Sequence, residues 1–505
     1  MLKLLLSASP IVIILLMLFV WKQSAWRAGL AGYAAAILLS LLAPAFDTTL
    51  AELLHPAVKG ALTTSLVAYV LLFGILLFHL MKETSVIDTI ASYISQSTRD
   101  PIRQVLILAF GLSPLVESSS GFGIAMVVTA PILITLGFDR FKAVLISLVS
   151  LSAVPWGSLA LGTIIGANLG NIPVHQLGTG SAVLSLPTFL YFAFIAVLIA
   201  GGWSGVKRRG WETLAVSGAF ALSVLLCNVY LSVELAGVFG SLVAISVELL
   251  FIRYAADSGS IPANKATSEV SVTTAAAHNQ MGILKTFSPY LLLILLLLLS
   301  RVFTPLSLFL QTHFVITLPP YQFALPLLHS PGFFLFLVCL FTAIMFRADS
   351  RIWQKSILAT WKQGVPVIGS TLFFVGMSEI MATSTMTQTL AQAAAASFGT
   401  AFLVISPVIG GLGGFLTGSN TGSNAMFIKL QVQTAQQLGM IPEVFAYGQN
   451  TASSHAIMAC PSRVLLGASV VNVMDREHEL LRKVTLVMLG TIGLVILGVV
   501  RMYLF

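Results

Sequence analysis

The chain has 505 residues, of which 57% are hydrophobic and only 9% are charged, and its formal net charge is +8. A soluble globular domain carries about 25% charged residues, so this chain has too few polar side chains to cover a water-facing surface. This composition excludes a soluble protein and indicates that lipid is the solvent for much of the chain. The basic residues are dispersed rather than gathered on one domain, which disfavours nucleic acid as a partner. The three isolated cysteines favour neither a disulfide framework nor a metal cluster.

Apolar runs recur along the chain and predict about a dozen membrane segments, because a helix needs about 20 mostly apolar residues to cross a bilayer. The runs are continuous rather than alternating, which predicts helices and not the strands of a barrel. The first run, Met1–Trp21, lacks a small-residue cleavage site, so we expect an uncleaved first span and not a secretory signal. The clearest runs are Ile11–Trp21, Leu30–Ala45, Leu66–Met81, Phe189–Gly202, Tyr290–Ser300, Phe333–Phe346 and Val484–Val500.

Positive charge predicts the orientation, because the cytoplasmic loops of membrane proteins are enriched in Lys and Arg. Placing all the basic clusters in the cytoplasm requires the N-terminus to lie outside. The polar stretch Arg253–Lys285 is then a flexible cytoplasmic linker, while Asp47–Pro56 and Thr304–Pro331 are external. The clusters contain Lys22, Arg27, Lys82, Arg99, Arg103, Lys207, Arg208, Arg209, Arg347, Arg351, Lys355, Lys362, Arg476, Arg482 and Lys483.

Two parts of the chain, one on each side of that linker, resemble each other. Met81–Ala91 reads MKETSVIDTIA and Met381–Ala391 reads MATSTMTQTLA, so Met, Thr and Ala recur 300 positions later. Chance similarity between two apolar segments is the alternative. The charge pattern makes Leu66–Met81 run inward and Val365–Met381 run outward, which predicts repeats of opposite topology. Inverted repeats with helices broken at mid-membrane are an architecture of transporters.

The predicted fold class is an all-α polytopic membrane protein with about 12 membrane segments in two inverted-topology repeats. Re-entrant or broken helices of the two repeats are expected to meet at the midplane. The predicted segments are N-terminal transmembrane helices (1–55), the first inverted repeat (56–204), additional transmembrane helices (205–252), the cytoplasmic linker (253–285), additional transmembrane helices with an external loop (286–346), the second inverted repeat (347–475) and a C-terminal transmembrane helix (476–505).

Two stretches depart from the apolar, regular character of membrane helices. Ser113–Gly123 and Gly410–Asn424 both concentrate glycine and small hydroxyl residues at membrane depth. Non-helical backbone survives there only when it is buried in protein or lines a wet cavity. Its free N–H groups and hydroxyls suit a carboxylate, helped by the positive end of a half-helix. Tight helix packing is the alternative, and it explains the glycines better than it explains the amide and carboxyl groups of Asn420, Asn424 and Glu117.

A second polar element lies downstream of each break, at 150–163 and at 450–463. Each combines a proline with several hydroxyl residues, which is typical of an unwound membrane helix. The second element also contains His455 and Arg463. Ionisable residues at membrane depth are costly and rare, so each of them is a candidate for function.

These breaks belong to longer motifs. VESSSGFG (116–123) is followed by TAPILITLGF (129–138), and GGFLTGSNTGSNAMF (413–427) is followed by TAQQLGM (434–440) and then by Asn450-Thr451. Together they resemble the two signatures of the lactate permease family, and the likeness extends from roughly Gly60 to Val470. The resemblance implies a carrier that imports lactate, glycolate and related 2-hydroxymonocarboxylates with protons. It also implies inverted repeats and re-entrant hairpins.

The chain departs from that family at positions that bear on the substrate. The glutamate is followed by Ser118–Ser120 where the family usually has Gly-Ala-Ala, and Asn420 replaces an aspartate. The family lysine near the end of the Asn-Thr segment has no equivalent, although Arg463 lies just beyond it. Glu379 stands where the family tends to have glutamine. The resemblance therefore implies the class of substrate, and it implies lactate in particular less directly.

The candidate site residues come from these motifs, and we expect Asn424, Thr421 and Ser119 to lie closest to the anion. Arg463 could pair with a carboxylate bidentately, and a place at the inner interface is the alternative. Glu248 is expected to snorkel to a helix end. The expected substrate-binding residues are Ser118, Ser119, Ser120, Gly121, Thr417, Ser419, Asn420, Thr421, Ser423, Asn424, Asn450, Thr451, Ser454 and Arg463. The expected proton-coupling residues are Glu117, His455 and Glu379, for which a structural role is the alternative.

The sequence thus predicts a secondary active transporter, a proton symporter that imports a small monocarboxylate such as lactate, glycolate or a related 2-hydroxy acid. We expect it in the bacterial inner (plasma) membrane, with the carboxylate, protons and lipid as partners and with no cofactor, metal or nucleic acid. The alternative functions are a carrier of a keto acid, sulfonate or dicarboxylate, and an anion channel. A homodimer is the oligomeric state that stays open. An enzyme is not expected, because His478–Arg482 lacks the second histidine of a zinc motif and no G-x-S-x-G elbow occurs.

Overall fold

The computed structural model describes residues 1–121, 123–254, 282–321 and 323–505, and these parts form α-helices and one short hairpin. The helices before the linker are α1 Leu2–Phe19, α2 Ala25–Leu42, α3 Leu50–Glu83, α4 Val86–Ser97, α5 Pro101–Leu106, α6 Ser113–Ser120, α7 Ile124–Thr135, α8 Arg140–Val149, α9 Gly157–Gly170, α10 Val174–Tyr230 and α11 Ala236–Tyr254. A π-helical segment, Ile107–Leu112, joins α5 to α6, and a 3-10 segment, Leu151–Trp156, precedes α9.

After the linker the chain forms α12 Ile283–Val302, α13 Thr304–Thr312, β1 Val315–Leu318, β2 Phe323–Pro326, α14 Pro331–Met345, α15 Ser350–Thr383, α16 Met386–Phe398, α17 Phe402–Thr417, α18 Asn420–Gln437, α19 Pro442–Ala456, α20 Pro461–Val470 and α21 Glu477–Leu504. Short 3-10 turns lie at Pro319–Tyr321, Gly399–Ala401, Ile457–Ala459 and Met474–Arg476. The two strands pair antiparallel, within the segment expected to be an external loop. Of the predicted linker 253–285, residues 255–281 lie outside the described residues.

The all-helical membrane class is confirmed, and length and composition identify fewer candidate spans in the described residues than the dozen expected. Nine helices of the described part are long and apolar enough to cross a membrane, or ten spans when the bent pair Arg140–Val149 and Val154–Gly170 counts as one. α10 counts once in this number, although its 57 residues would extend about 85 Å as one straight helix. Its backbone leaves the helical region at Gly202, where φ is 63°, so α10 contains two helices. The apolar helices α7 and α14 have only 12 and 15 residues.

The central helix pair consists of α3 and α15, which have the same length and the same type of ending. Each has 34 residues, and their contact is the most extensive between two elements of the described chain. α3 is followed by Ser85 at φ 59° and α15 by Thr385 at φ 61°, and a short helix begins directly after each. The two motifs that match in the sequence therefore adopt matching local structures. The opposite membrane orientation of the repeats stays a prediction.

A cluster of buried charges holds α5, α10 and α11 together near the break in α10. Arg103 Nε donates to Glu212 Oε1 at 2.7 Å. Arg209 bridges two carboxylates, Asp100 at 2.9 Å and Glu212 at 3.1 Å. Glu248 of α11 is fully buried beside these charges, with the carboxyl group of Glu212 as a close neighbour. The expectation that Glu248 snorkels to a helix end is therefore wrong, because α11 turns this side chain toward the packed interior.

Candidate functional site

Both Gly/Ser-rich stretches interrupt a helix where the sequence predicts a break. α6 ends at Gly121, where φ is 66°, and α7 begins at Ile124. α17 ends at Gly418, where φ is 61°, and α18 begins at Asn420. Glycine adopts such left-handed conformations at little cost, which is why the helices end here. Each break places the positive end of the next helix at the interruption.

A third break lies within the first turn of α9, and its backbone is strained. Ser158, Leu159 and Ala160 have φ values of 43°, 52° and 69° in succession. A left-handed conformation costs an L-residue about 1–2 kcal/mol, so three together persist only where the surroundings impose them. Ser158 Oγ donates to the carbonyl oxygen of Ser120 at 2.8 Å, which ties this break to the end of α6.

The breaks of both halves surround one cavity of about 30 Å³, which we term the inner cavity. This volume is room for about two water molecules. Arg463 reaches it from the first turn of α20. The cavity is lined by Glu117, Gly121, Val154, Gly157, Ser158, Leu161, Gly162, Gly418, Ser419, Asn420, Thr421, Ile457 and Arg463. Six of the predicted site residues, from opposite halves of the chain, are thus brought together here.

The two charges of the inner cavity are each held by backbone groups of a break. Both oxygens of the Glu117 carboxyl group accept from the N–H of Gly123, at 3.1 Å each. Arg463 Nη2 donates to the carbonyl oxygen of Gly418 at 3.1 Å. Arg463 also packs so closely on Gly123 that an added Cβ there would clash with Nη1. The opposite charges therefore attract each other across the cavity while both remain tied to the broken helices.

Asn450 is the centre of a buried amide network behind the inner cavity. Its Oδ1 accepts from Nδ2 of Asn420 at 2.9 Å and from Nδ2 of Asn424 at 2.8 Å. Its Nδ2 donates to Ser181 Oγ at 2.8 Å and to Thr163 Oγ1 at 3.1 Å. Asn450 thus joins α9, α10 and α18 to α19. Asn420 connects the network to the cavity, and its own Oδ1 has no partner among the described residues.

Several predicted residues lie close to the breaks without lining the inner cavity. Asn424 donates to the carbonyl of Gly162 at 3.0 Å as well as to Asn450, so its amide is part of the network. The hydroxyl of Ser423 accepts from Gln449 at 3.0 Å, and Ser118 Oγ is buried with no partner in the described chain. The remaining hydroxyls donate to backbone carbonyls, in Ser119, Ser120, Thr417, Thr451 and Ser454.

Two predicted proton-coupling residues are outside the inner cavity. His455 is buried in α19, with Nε2 3.2 Å from Ser185 Oγ and 3.1 Å from Thr188 Oγ1. Glu379 of α15 forms ion pairs with Lys429 at 2.8 Å and with Lys59 at 3.6 Å. This triad links α3, α15 and α18. A role of either residue in proton movement stays a prediction.

Two features near the site, Lys429 and the strained turn at Ser158, are not among the predicted site residues. Lys429 lies in the apolar stretch that follows the second break, so an ionisable residue at membrane depth was a signal that could have found it. Ser158 was part of the polar element 150–163, but its left-handed backbone has no signature in the residue types. Among the described residues, no group of three or more His, Cys, Asp or Glu side chains is placed to hold a metal.

Comparison with known proteins gives a match over nearly the whole chain. The family model of L-lactate permease matches residues 3–505. The similar proteins include the glycolate permease GlcA of Escherichia coli strain K12, which is 26% identical over 245 residues, covering 46% of this chain and 43% of that relative. The L-lactate permease of Streptococcus iniae is 28% identical over 259 residues, covering 50% of this chain and 54% of the relative.

The L-lactate permease of Bacillus subtilis strain 168 is 26% identical over 302 residues, covering 56% of this chain and 52% of the relative. The chain thus spans about half the length of the curated relatives it matches. The family model covers both breaks, the amide network and Arg463.

Proposed function

The chain belongs to the L-lactate permease family, and on that premise we propose that it is a proton symporter for a small monocarboxylate. Lactate, glycolate or a related 2-hydroxy acid is the substrate class, and import across the bacterial plasma membrane is the direction. The observation that carries this proposal is the inner cavity, where a guanidinium group, a carboxyl group and the start of a helix come from both halves of the chain.

The inner cavity provides the groups that a carboxylate needs. Asn420 and Thr421 are the first residues of α18, so their N–H groups have no partner within the helix and lie at its positive end. Arg463 contributes a planar group that can hold both carboxylate oxygens. Asn420 Oδ1, which lacks a partner in the described chain, can accept from the 2-hydroxyl group of the substrate. A 2-hydroxy monocarboxylate matches this set of donors and acceptor.

Glu117 supplies a simple physical basis for proton coupling. When its carboxyl group is ionised, its negative charge competes with the substrate anion for the positive groups around Gly123 and Arg463. When the group carries a proton, Arg463 is free to bind the substrate carboxylate. Proton and anion then favour each other's binding, as a symporter requires.

Alternating access requires the cavity to open to one side at a time. The inner cavity holds about 30 Å³, so a bound carboxylate needs the broken helices to move apart. The matching order of elements around α3 and α15 supports two repeats that exchange conformations. The distribution of basic residues predicts that the segment Thr304–Pro331, which contains the β-hairpin, faces outward. An impermeant thiol reagent on intact cells should label Gln311→Cys and not Ser350→Cys, and the reverse pattern would overturn this orientation.

Reconstituted transport tests the function itself. We expect purified protein in proteoliposomes to exchange L-lactate or glycolate in saturable counterflow and to accumulate it on a proton gradient. Keto acids, short sulfonates and dicarboxylates in the same panel test the alternative substrates. Exchange that saturates with a sulfonate but not with any 2-hydroxy acid would reassign the substrate. Flux that does not saturate would favour a channel.

A further inference from the structure

A second, larger cavity lies next to the inner cavity and shares one lining residue with it. It has a volume of about 520 Å³ and lies between α3, α9, the connection from α10 to α11, and the end of β2. Leu161 of α9 lines both cavities. We term this larger space the outer vestibule. It has room for a small organic anion, whereas the inner cavity of about 30 Å³ does not.

The outer vestibule has a polar end in otherwise apolar walls. Arg301, in the last turn of α12, donates to Glu234 Oε1 at 3.2 Å and to the carbonyl oxygen of His329 at 3.1 Å. The side chain of Arg301 is only 10% exposed, so its charge is poorly screened by solvent. Most of the remaining lining is aliphatic, from α3 and α9. A short carboxylate fits this arrangement, with its charge at Arg301 and its apolar body against the aliphatic walls.

The residue that lines both cavities, Leu161, directly follows the strained turn. Leu161 is 3% exposed and is preceded by three residues with left-handed backbone, Ser158 to Ala160. Relaxation of that turn toward ordinary helical angles would rotate the start of α9 and displace Leu161. Strain stored beside a barrier favours two arrangements of the segment over a single rigid one.

We propose that the outer vestibule is a docking site for the transported carboxylate, in which Arg301 binds the anion before Leu161 admits it to the inner cavity. This inference rests on the proposed function and adds to it a second anion-binding site, its cationic residue and its gate. The ion pair with Glu234 keeps the site neutral when empty, so an arriving anion must exchange with that carboxylate. Such exchange suits weak, rapidly reversible docking and not tight storage.

Transport kinetics test the docking residue. In proteoliposomes of the full chain, Arg301→Gln should raise the KM for L-lactate about tenfold to a hundredfold and leave the maximal rate nearly unchanged, because docking precedes the slow step. Arg476→Gln is the matched control, since Arg476 forms a surface pair with Glu479 at 2.7 Å. An unchanged KM in Arg301→Gln, with the parent protein active, would overturn the docking site and leave the proposed function standing. An inactive parent would instead contradict the proposed function.

Thiol labelling tests the occupant and the gate. In a background without the three native cysteines, Ile164→Cys on the vestibule wall should react with a small anionic thiol reagent, and L-lactate should slow this reaction. Adding Leu161→Trp should abolish transport, because passage to the inner cavity is blocked. L-lactate should still slow the labelling of Ile164→Cys, because docking is retained. Leu54→Trp, at an exposed position of α3, is the matched control. Labelling only by a lipophilic maleimide would mean that lipid fills the vestibule, and labelling without protection would mean that lactate does not dock there.

Discussion

Both oxygens of the Glu117 carboxyl group accept from the backbone N–H of Gly123, at 3.1 Å each, across the break between α6 and α7. Gly123 is the N-cap of α7, so the carboxylate lies at the positive end of that helix. The same glycine packs against the guanidinium group of Arg463. A proton on Glu117 would therefore weaken two attractions at once, one within the first break and one toward the second half of the chain.

Glu117→Gln should separate coupling from exchange. Glutamine keeps the shape of the side chain and one acceptor oxygen but cannot take up or release the proton. We expect loss of gradient-driven accumulation of L-lactate, with counterflow exchange retained, because exchange moves no net proton. Glu83→Gln, which removes a surface partner of Lys355 at 3.6 Å, is the control. A variant that still concentrates substrate on a proton gradient would remove Glu117 from the coupling mechanism.

Arg463→Lys tests the planar contact with the anion. Lysine keeps the charge but loses the fork that holds both carboxylate oxygens. We expect counterflow affinity for L-lactate to fall by about one to two decades, since a lost hydrogen bond to a charged group costs about 1.5–3 kcal/mol. Arg476→Lys, at the exposed pair with Glu479, is the matched control. An affinity equal to that of the parent would mean that Arg463 does not touch the substrate.

Asn420 and Asn424 should respond differently to the same truncation. Asn424 donates to Gly162 and Asn450 and does not line the inner cavity, so Asn424→Ala should mainly lower the thermal unfolding temperature. Asn420 lines the cavity with an unpartnered Oδ1 in the described chain, so Asn420→Ala should mainly lower substrate affinity. Thermal melts in detergent and counterflow titrations measure the two effects. Equal losses of affinity in both variants would contradict this division.

The main role of the ion triad of Glu379, Lys429 and Lys59 should be to stabilise the fold. Glu379→Gln leaves the largely buried Lys429 without its partner at 2.8 Å, and an unpaired buried charge is destabilising. The unfolding temperature should fall, and Glu379→Gln combined with Lys429→Met should recover most of the loss. If the double variant is stable but cannot accumulate substrate on a proton gradient, the triad contributes to coupling as well. Recovery of neither stability nor transport would contradict the ion-pair explanation.

His329 gives a pH dependence outside the membrane segments. Burial, together with the nearby Arg301 guanidinium, lowers the pKa of His329 to about 4 from an ordinary 6.5. Between these values the unfolded chain binds a proton that the folded chain does not, so stability falls as the pH falls from 6.5 toward 4. The drop in unfolding temperature between pH 7 and pH 5 should thus be smaller in His329→Gln than in the parent. His478→Gln, at an exposed position, is the control, and an equal drop in all three proteins would contradict this pKa.

The positions of the helix breaks could be predicted from the sequence because they are local. Gly121 and Gly418 end their helices through backbone angles that depend on the glycine and a few neighbours. The partners of the ionisable residues could not be predicted in this way. Glu248 was expected at a helix end and lies buried beside the Arg103 cluster, while Glu379 pairs with lysines on two other helices.

The sequence by itself determined the membrane-embedded helical class, the two breaks and the repeated motif 300 positions apart, because composition and local backbone preference need no information about distant contacts. Only the tertiary structure decided that Arg463 packs against Gly123, that Asn450 binds both Asn420 and Asn424, and that Leu161 lines both the inner cavity and the outer vestibule. The physical reason is that these relationships depend on how helices from distant parts of the chain pack together. The type and order of the residues along any one helix do not specify them.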